Sequence, residues 1–320
     1  MHQSAFVTFV MLNDHYVPGA LVFAHALRKQ RVDADILCLI TPEVSLRAKT
    51  ALRVLFDDVI MVDPIVVHHP DHHGRQDRPF LFTRFQAFRL GMDGNLHRHY
   101  DKLVIADADL LPISDYQSLF DLPSPAGIIN ESKEHCVSSS QGKYLQLANQ
   151  NNPNEWLWHY IYRATPHGFP IPKAITDRIL EDPNNLGINA CLYRIDPKMD
   201  DYKSIQEDLK NPEILKRITT YPWPEMQYLT LKFSGSWHNI DLRYASFNGY
   251  PRLDILKGTH YAGLKPWQIK SPSVPHFAKY EDYQLFFRTY IDMIRQYPAL
   301  INYPKLERIH ACFQKYLLEK

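Results

Sequence analysis

Apolar positions along this chain fall into short continuous blocks that alternate with stretches of helical spacing. Ala5–Leu12 (AFVTFVML) is a run of apolar, aromatic and β-branched residues, which predicts a buried strand. Pro18 to Arg28 (PGALVFAHALR) carries apolar residues at helical spacing with proline at its start, which predicts a helix. Asp35–Ile40 (DILCLI) is a second strand, Ser45 to Leu55 a helix capped by Ser45, and Asp58–Val62 (DVIMV) a third strand. Arg84 to Leu90 begins another helix, and Lys102–Ala106 (KLVIA) is a fourth strand. Strands separated by helices imply an α/β domain with a mostly parallel central sheet flanked by helices. In such sheets ligands bind beyond the carboxyl ends of the strands, where Asn13, Thr41 and Asp107 fall.

The pattern then changes. Asn130 to Asn185 is polar and rich in Asn, Ser and Pro, with a predicted helix around Trp156, Trp158, Tyr160 and Tyr162. It reads as an insertion, either packed or forming an aromatic wall for an acceptor. Ile188–Ile195 (INACLYRI) is again a strand, and Tyr228 to Phe233 a short helix. Gly258 to Trp267 leads through a loop rich in Gly and Pro. Tyr280 to Lys320 is helical by periodicity, with Tyr283, Phe286, Phe287, Tyr290, Ile291 and Ile294 on one stripe that covers the core or forms a homodimer contact.

Composition narrows the class. The 320 residues are 45% hydrophobic, enough for a substantial core. With 36 basic and 35 acidic residues the net charge is +1, which argues against nucleic acid or a membrane surface held by bulk electrostatics. The N-terminus lacks a basic signal-peptide region, and no apolar run is long enough for a membrane span. Cys38, Cys136, Cys191 and Cys312 have neither metal-ligand nor redox spacing; Cys38 and Cys191 lie in apolar runs as buried thiols. A reducing, cytoplasmic setting fits.

One triplet carries chemistry. Asp107-Ala108-Asp109 follows the apolar run Lys102–Ala106. On a strand, residues i and i+2 share a face, so the two carboxylates would point the same way. Two hard oxygen ligands suit Mg²⁺ or Mn²⁺, ions that also hold substrate phosphates. The other histidine-rich stretch, His68-His69-Pro70-Asp71-His72-His73, has no partner carboxylate or cysteine at a usual spacing and reads as a solvated loop. The chain has no G-x-S-x-G, P-loop or G-x-G-x-x-G motif.

Four segments, in order, resemble the glycogenin-like members of glycosyltransferase family 8. Leu12-Asn13-Asp14-His15-Tyr16-Val17-Pro18-Gly19-Ala20 is similar to N-D-x-Y-x-x-G-A, and Ile105-Ala106-Asp107-Ala108-Asp109 to M-D-A-D. Ile188-Asn189-Ala190-Cys191 is similar to F-N-[SA]-G, and His260 to Trp267 (HYAGLKPW) to H-F-x-G-x-K-P-W. The resemblance implies a Rossmann-like glycosyltransferase A-type fold with a helical C-terminal extension. It places a single catalytic domain over residues 1–270, with the insertion at about 130–185, and the extension over 271–320. It further implies a Mn²⁺-dependent enzyme, with Mg²⁺ as an alternative ion, that moves glucose or galactose from UDP-glucose or UDP-galactose with retention.

By that resemblance Asp107, Asp109 and His260 are metal ligands, and Asn13 and Tyr16 contact uracil. Arg84, with Arg78 as a weaker match, lies beside sugar and phosphates; Ala108 lines the donor site; Asn189 contacts a sugar hydroxyl; Gly263 and Lys265 grip the pyrophosphate. Glu225 is the acidic residue nearest the reacting face, and with Arg84 and Lys265 completes the catalytic set. Three departures from glycogenin stand out. Met226 takes the place of a glutamine, Cys191 that of a glycine, and Tyr221-Pro222-Trp223-Pro224 that of a glycine-rich turn. They point toward viral or bacterial relatives, and self-glucosylation of a tyrosine such as Tyr244 or Tyr250 loses its support. They also keep open an alternative, a UDP-sugar sensor or scaffold with weakened transfer. The acceptor, whether glycan, protein or small molecule, is unspecified.

Overall fold

The computed structural model of the protein describes residues 3–68, 77–129, 165–182, 187–249 and 252–318. Its centre is a seven-stranded sheet of order β3-β2-β1-β4-β7-β6-β8. The strands are β1 (Ser4–Val10), β2 (Asp35–Ile40), β3 (Asp58–Met61), β4 (Lys102–Ala106), β6 (Ala126–Ile129), β7 (Ile188–Ile195) and β8 (His238–Asn239). β1, β2, β3 and β4 pair in parallel, as do β6 and β8. β7 runs antiparallel to both β4 and β6, so it alone opposes the rest. A smaller sheet of β5 (Leu110–Pro112), β10 (Gly258–His260) and β9 (Ser246–Phe247) abuts the end of β4.

The continuous apolar runs are explained by burial on both faces. On β1, Phe6 and Val10 enter one core while Ala5, Val7 and Phe9 enter the other. The first core lies under the helices Val17–Gln30 and Leu46–Leu52 and the two C-terminal helices, Glu281–Gln296 and Pro304–Leu318. The second lies under Arg78–Leu90 and the helices Met199–Asp208, Pro212–Ile218 and Pro224–Lys232.

Within the described residues the elements read from the sequence are present, while β6, β8, the small sheet and the helices Met199–Asp208 and Pro212–Ile218 lie where the pattern gave no element. Ser45 caps its helix by accepting from the Ala48 N–H at 3.2 Å, and Cys38 and Cys191 are buried thiols. Four elements differ. β1 stops at Val10, and Leu12 takes a left-handed backbone (φ 66°) that no strand continues through. The helix expected from Arg84 starts at Arg78 and winds as a 3-10 helix to Leu90. The helix expected from Tyr228 starts at Pro224, whose ring suits the first turn. The C-terminal helix is two helices, broken at Tyr297-Pro298. Its aromatic stripe is used within the chain: Tyr283, Phe286, Phe287, Tyr290 and Ile294 are buried and Phe313 packs on Phe287 at 4.3 Å. The predicted helix around Trp156 and Tyr162, Cys136, Tyr250 and the histidines of the His68–His73 stretch other than His68 lie outside the described residues. No described helix is long and apolar enough to cross a membrane.

Asp282, in the first turn of helix Glu281–Gln296, is 3% exposed. Burial pushes its carboxyl up to about 8, against opposing backbone hydrogen bonds from Tyr283 and Asp282. The folded state therefore binds the proton more tightly than the unfolded chain. Stability from this group is present at low pH and is lost as pH rises from the ordinary carboxylate range through about 8. Asp282→Asn should melt higher than the parent at pH 8 and level with it near pH 4; an equal melting temperature at both pH values would refute the assignment.

Candidate functional site

The site assembles at the carboxyl edge of β1 and β4. Beyond Ala106 the chain makes a turn closed by the Leu110 N–H donating to Asp107 O at 3.1 Å, and the Asp107 N–H donates to Cys191 O at 2.9 Å. The carboxylate pair thus sits in a turn between β4 and β5, not on an extended strand face as the alternation of the sequence suggested. The turn hands the chain to β5, which runs antiparallel to β10 with Leu110 opposite His260. The Tyr261 N–H donates to Asp109 O at 2.9 Å and locks that register. Asp107, Asp109 and His260 are brought together by this pairing, with one ligand atom from each mutually within 4.8 Å.

Asp109 is the buried carboxylate of the pair, 7% exposed, and His260 is buried with it. Lys265 Nζ donates to Asp109 Oδ2 at 2.5 Å and to Tyr261 O at 2.5 Å. His260 Nε2 lies 3.2 Å from Asp109 Oδ1. Burial pushes the Asp109 carboxyl up, but Lys265 and then His260 outweigh it and hold the carboxyl well below the usual carboxylate range.

Asp107 is half-buried and is steered from the other side. Arg84 Nη2 donates to its Oδ1 at 3.1 Å, and Arg84 Nη1 donates to Ala190 O at 2.6 Å. Burial opposes the Arg84 charge, but Asp107 and Glu225 outweigh it and raise its pKa. Glu225, 3% exposed, therefore belongs to the same electrostatic group as Arg84. Asn189 sits where the β6–β7 register shifts, its Oδ1 accepting from the Cys191 N–H at 3.0 Å. Arg78 is buried at the start of its helix.

On the β1 side Asn13 is exposed, and its Oδ1 caps the following turn by accepting from the His15 N–H at 2.7 Å. Tyr16 is half-buried, edge-on to Trp267 with centroids 5.7 Å apart, and Lys265 Nζ stands 5.9 Å from the centre of its ring. Gly263 is exposed on the loop that carries Lys265 inward, and Ala108 is buried. The sequence left two members of this group without a role: Trp267, which packs on both Tyr16 and Phe286, and Gly19. Both lie inside the family-like segments, but their contacts span most of the chain.

Residues fit for a divalent ion are present. Asp109 Oδ1 is buried and faces His260 Nε2 without a well-formed hydrogen bond, two donor atoms that an ion would bridge. Its 3.2 Å spacing from His260 Nε2 matches the about 3 Å edge of an octahedron with bonds near 2.1 Å. Two carboxylates with one imidazole form a hard-to-borderline donor set that suits Mn²⁺ and admits Mg²⁺.

No family model matches the chain. Glycogenin-2 of Homo sapiens is 38% identical over 122 residues, 37% of this chain and 23% of that protein. The chain is a partial homologue of the glycogenins. It is not glycogenin itself, and it spans only a minor part of the glycogenins it matches. Galactinol synthase 1 of Arabidopsis thaliana is 25% identical over 82% of this chain and 71% of its own length. An uncharacterized protein of Acanthamoeba polyphaga mimivirus is 23% identical over 83% of each chain. Among solved structures, the galactosyltransferase LgtC in complex with donor and acceptor sugar analogs superposes with a TM-score of 0.53. It is 14% identical and is covered over 89% of this chain and 94% of its own. The bifunctional glycosyltransferase WbbM gives 0.52 at 19% identity, over 96% of this chain and 52% of its own. The fold is that of the A-type glycosyltransferases.

A Cβ added at Gly19 would lie 2.2 Å from the Ala108 carbonyl oxygen and 2.4 Å from the Trp267 ring. Neither backbone nor indole can give way, so the first helix needs glycine to approach the carboxylate turn. Gly19→Ala should cost about 2 kcal/mol in a urea titration; an unchanged midpoint would show that the turn relaxes freely.

Proposed function

We propose that the protein is a retaining glycosyltransferase that moves a hexose, glucose or galactose, from a UDP-sugar to an acceptor hydroxyl. The observation that carries this reading is the convergence of Asp107, Asp109, His260 and Lys265 at the carboxyl edge of an A-type glycosyltransferase sheet. The named relatives, glycogenins and a galactinol synthase, support a sugar as the transferred group.

In this reading Asp107, Asp109 and His260 hold Mn²⁺, or Mg²⁺ in its place. When bound, the ion neutralises charge growing on the departing diphosphate. Lys265 supplies a buried point charge on the same side, and Gly263 leaves its loop free of a side chain beside the phosphates. Arg84 fixes Asp107 and carries a permanent charge toward the phosphates and sugar. Asn13 and Tyr16 take the uracil, Arg78 and Ala108 complete the wall of the donor site, and Asn189 meets a sugar hydroxyl. Departure of UDP leaves positive character on the anomeric carbon. Retention follows from a carboxylate behind that carbon, for which Glu225 is the candidate, or from attack on the face UDP leaves. Residues 1–270 form the catalytic domain in this reading, and 271–320 the helical extension.

One observation favours a second reading, a UDP-sugar-binding protein with weakened transfer. Met226 is buried in the core beside Glu225, and the nearest glutamine, Gln227, uses its Oε1 to accept from the Trp223 N–H at 3.0 Å. The amide the family resemblance places at the sugar is thus replaced by an apolar side chain.

UDP release from a panel of UDP-sugars, with Mn²⁺ and then with EDTA, separates the two. Transfer predicts metal-dependent release from one sugar, lowered about 100-fold or more in Asp109→Asn. Normal turnover in that variant would sink the metal assignment, and binding of UDP without release from any sugar would favour the second reading.

A further inference from the structure

The loop Asn13–Tyr16 is held from the far end of the chain. Asp14 is the hub: its carboxylate accepts from the Ser45 N–H at 2.9 Å, the Ser45 hydroxyl at 2.6 Å and the Tyr303 hydroxyl at 2.7 Å. Its carbonyl oxygen accepts from Lys305 Nζ at 2.6 Å. Tyr303 and Lys305 lie 289 and 291 residues away in sequence. Beside the hub, Gln268 contacts His15 through its amide, so the loop that carries Lys265 and Trp267 is tied to the same segment.

The two residues are themselves rigidly mounted. Helix Pro304–Leu318 is seated in the core by Leu306 and Phe313, and the Tyr290 hydroxyl donates to Leu306 O at 2.9 Å. A hydroxyl and an ammonium delivered on such a mount fix both the backbone and the carboxylate of a loop that otherwise follows a left-handed Leu12. The Lys305 and Lys265 charges both act on His15, which stands next to Asp14 in the same loop.

We propose that Tyr303 and Lys305 are donor-positioning residues: they act through Asp14 to hold Asn13 and Tyr16 in the conformation that accepts a nucleoside diphosphate. This rests on the donor-site reading above. It makes the C-terminal helices part of that site, not a cover for the core alone. The positioning is made before the nucleotide arrives, so losing it lowers affinity and leaves the reacting groups intact.

The test is calorimetric titration of UDP with Mn²⁺ into the full chain and into Tyr303→Phe and Lys305→Met. Each keeps most of its side chain's packing. Each should bind UDP about tenfold more weakly, with little change in melting temperature and with UDP release at saturating donor unchanged. Tyr303→Phe added to Asp14→Ala should cost no further affinity, because the acceptor of the Tyr303 hydroxyl is already gone. UDP affinity equal to the parent's, with a lowered melting temperature, would overturn the proposal and leave a staple with no donor role. A parent chain that binds neither UDP nor any UDP-sugar would overturn the donor-site reading and this inference with it; the two failures are told apart by the parent's own titration.

Discussion

The buried carboxylate of Asp109 is the constraint around which this structure is organised. A carboxylate taken out of water is tolerated only where opposite charge and hydrogen bonds replace its hydration. Here Lys265 and His260 do so from the loop after β10 and the end of β10 itself, 156 and 151 residues further along the chain. That requirement brings β10 against β5, places the Tyr261 amide on the Asp109 carbonyl, and draws Trp267 onto the first helix. Gly19 follows from the same demand, since a helix bearing a side chain there could not reach the turn.

Electrostatics around the pair of carboxylates is divided. Asp109 is matched by a lysine and a histidine within the small sheet and its loop, while Asp107 is matched by Arg84 from the opposite core. Neither partner crosses to the other carboxylate in the contacts described. An ion seated between them would be held by ligands whose second partners come from both faces of the main sheet, a common way of fixing ligand orientation.

Much of the fold was legible because its signals are local. The strands of the parallel half are apolar runs with buried faces on both sides, and Ser45 announces a helix start by its own chemistry. The carboxylate pair and the His260–Trp267 segment were visible as motifs. What was illegible depended on distance or on direction. Nothing in INACLYRI says whether β7 runs with or against β4. The turn at Asp107–Asp109 is set by the Asp107 N–H donating to Cys191 O and the Leu110 N–H donating to Asp107 O, and only the second partner is near in sequence. The break at Pro298 was present in the sequence but was outweighed by an amphipathic period that continues on either side of it. The Tyr303–Asp14 contact joins the two ends of the chain and leaves no short-range trace.

The reversed direction of β7 has a consequence for the connection that leads into it. Because β6 and β7 are antiparallel neighbours, the chain leaves the sheet at Ile129 and returns at Ile188, two residues paired across one rung. That rung lies at the same edge as Asp107. A segment hung between paired neighbours can change length at a closure cost that grows only logarithmically, and the register of β7 on β4 is set independently by Leu103 to Ala106. A change in the length of the connection between β6 and β7 can therefore leave the carboxylate turn in place.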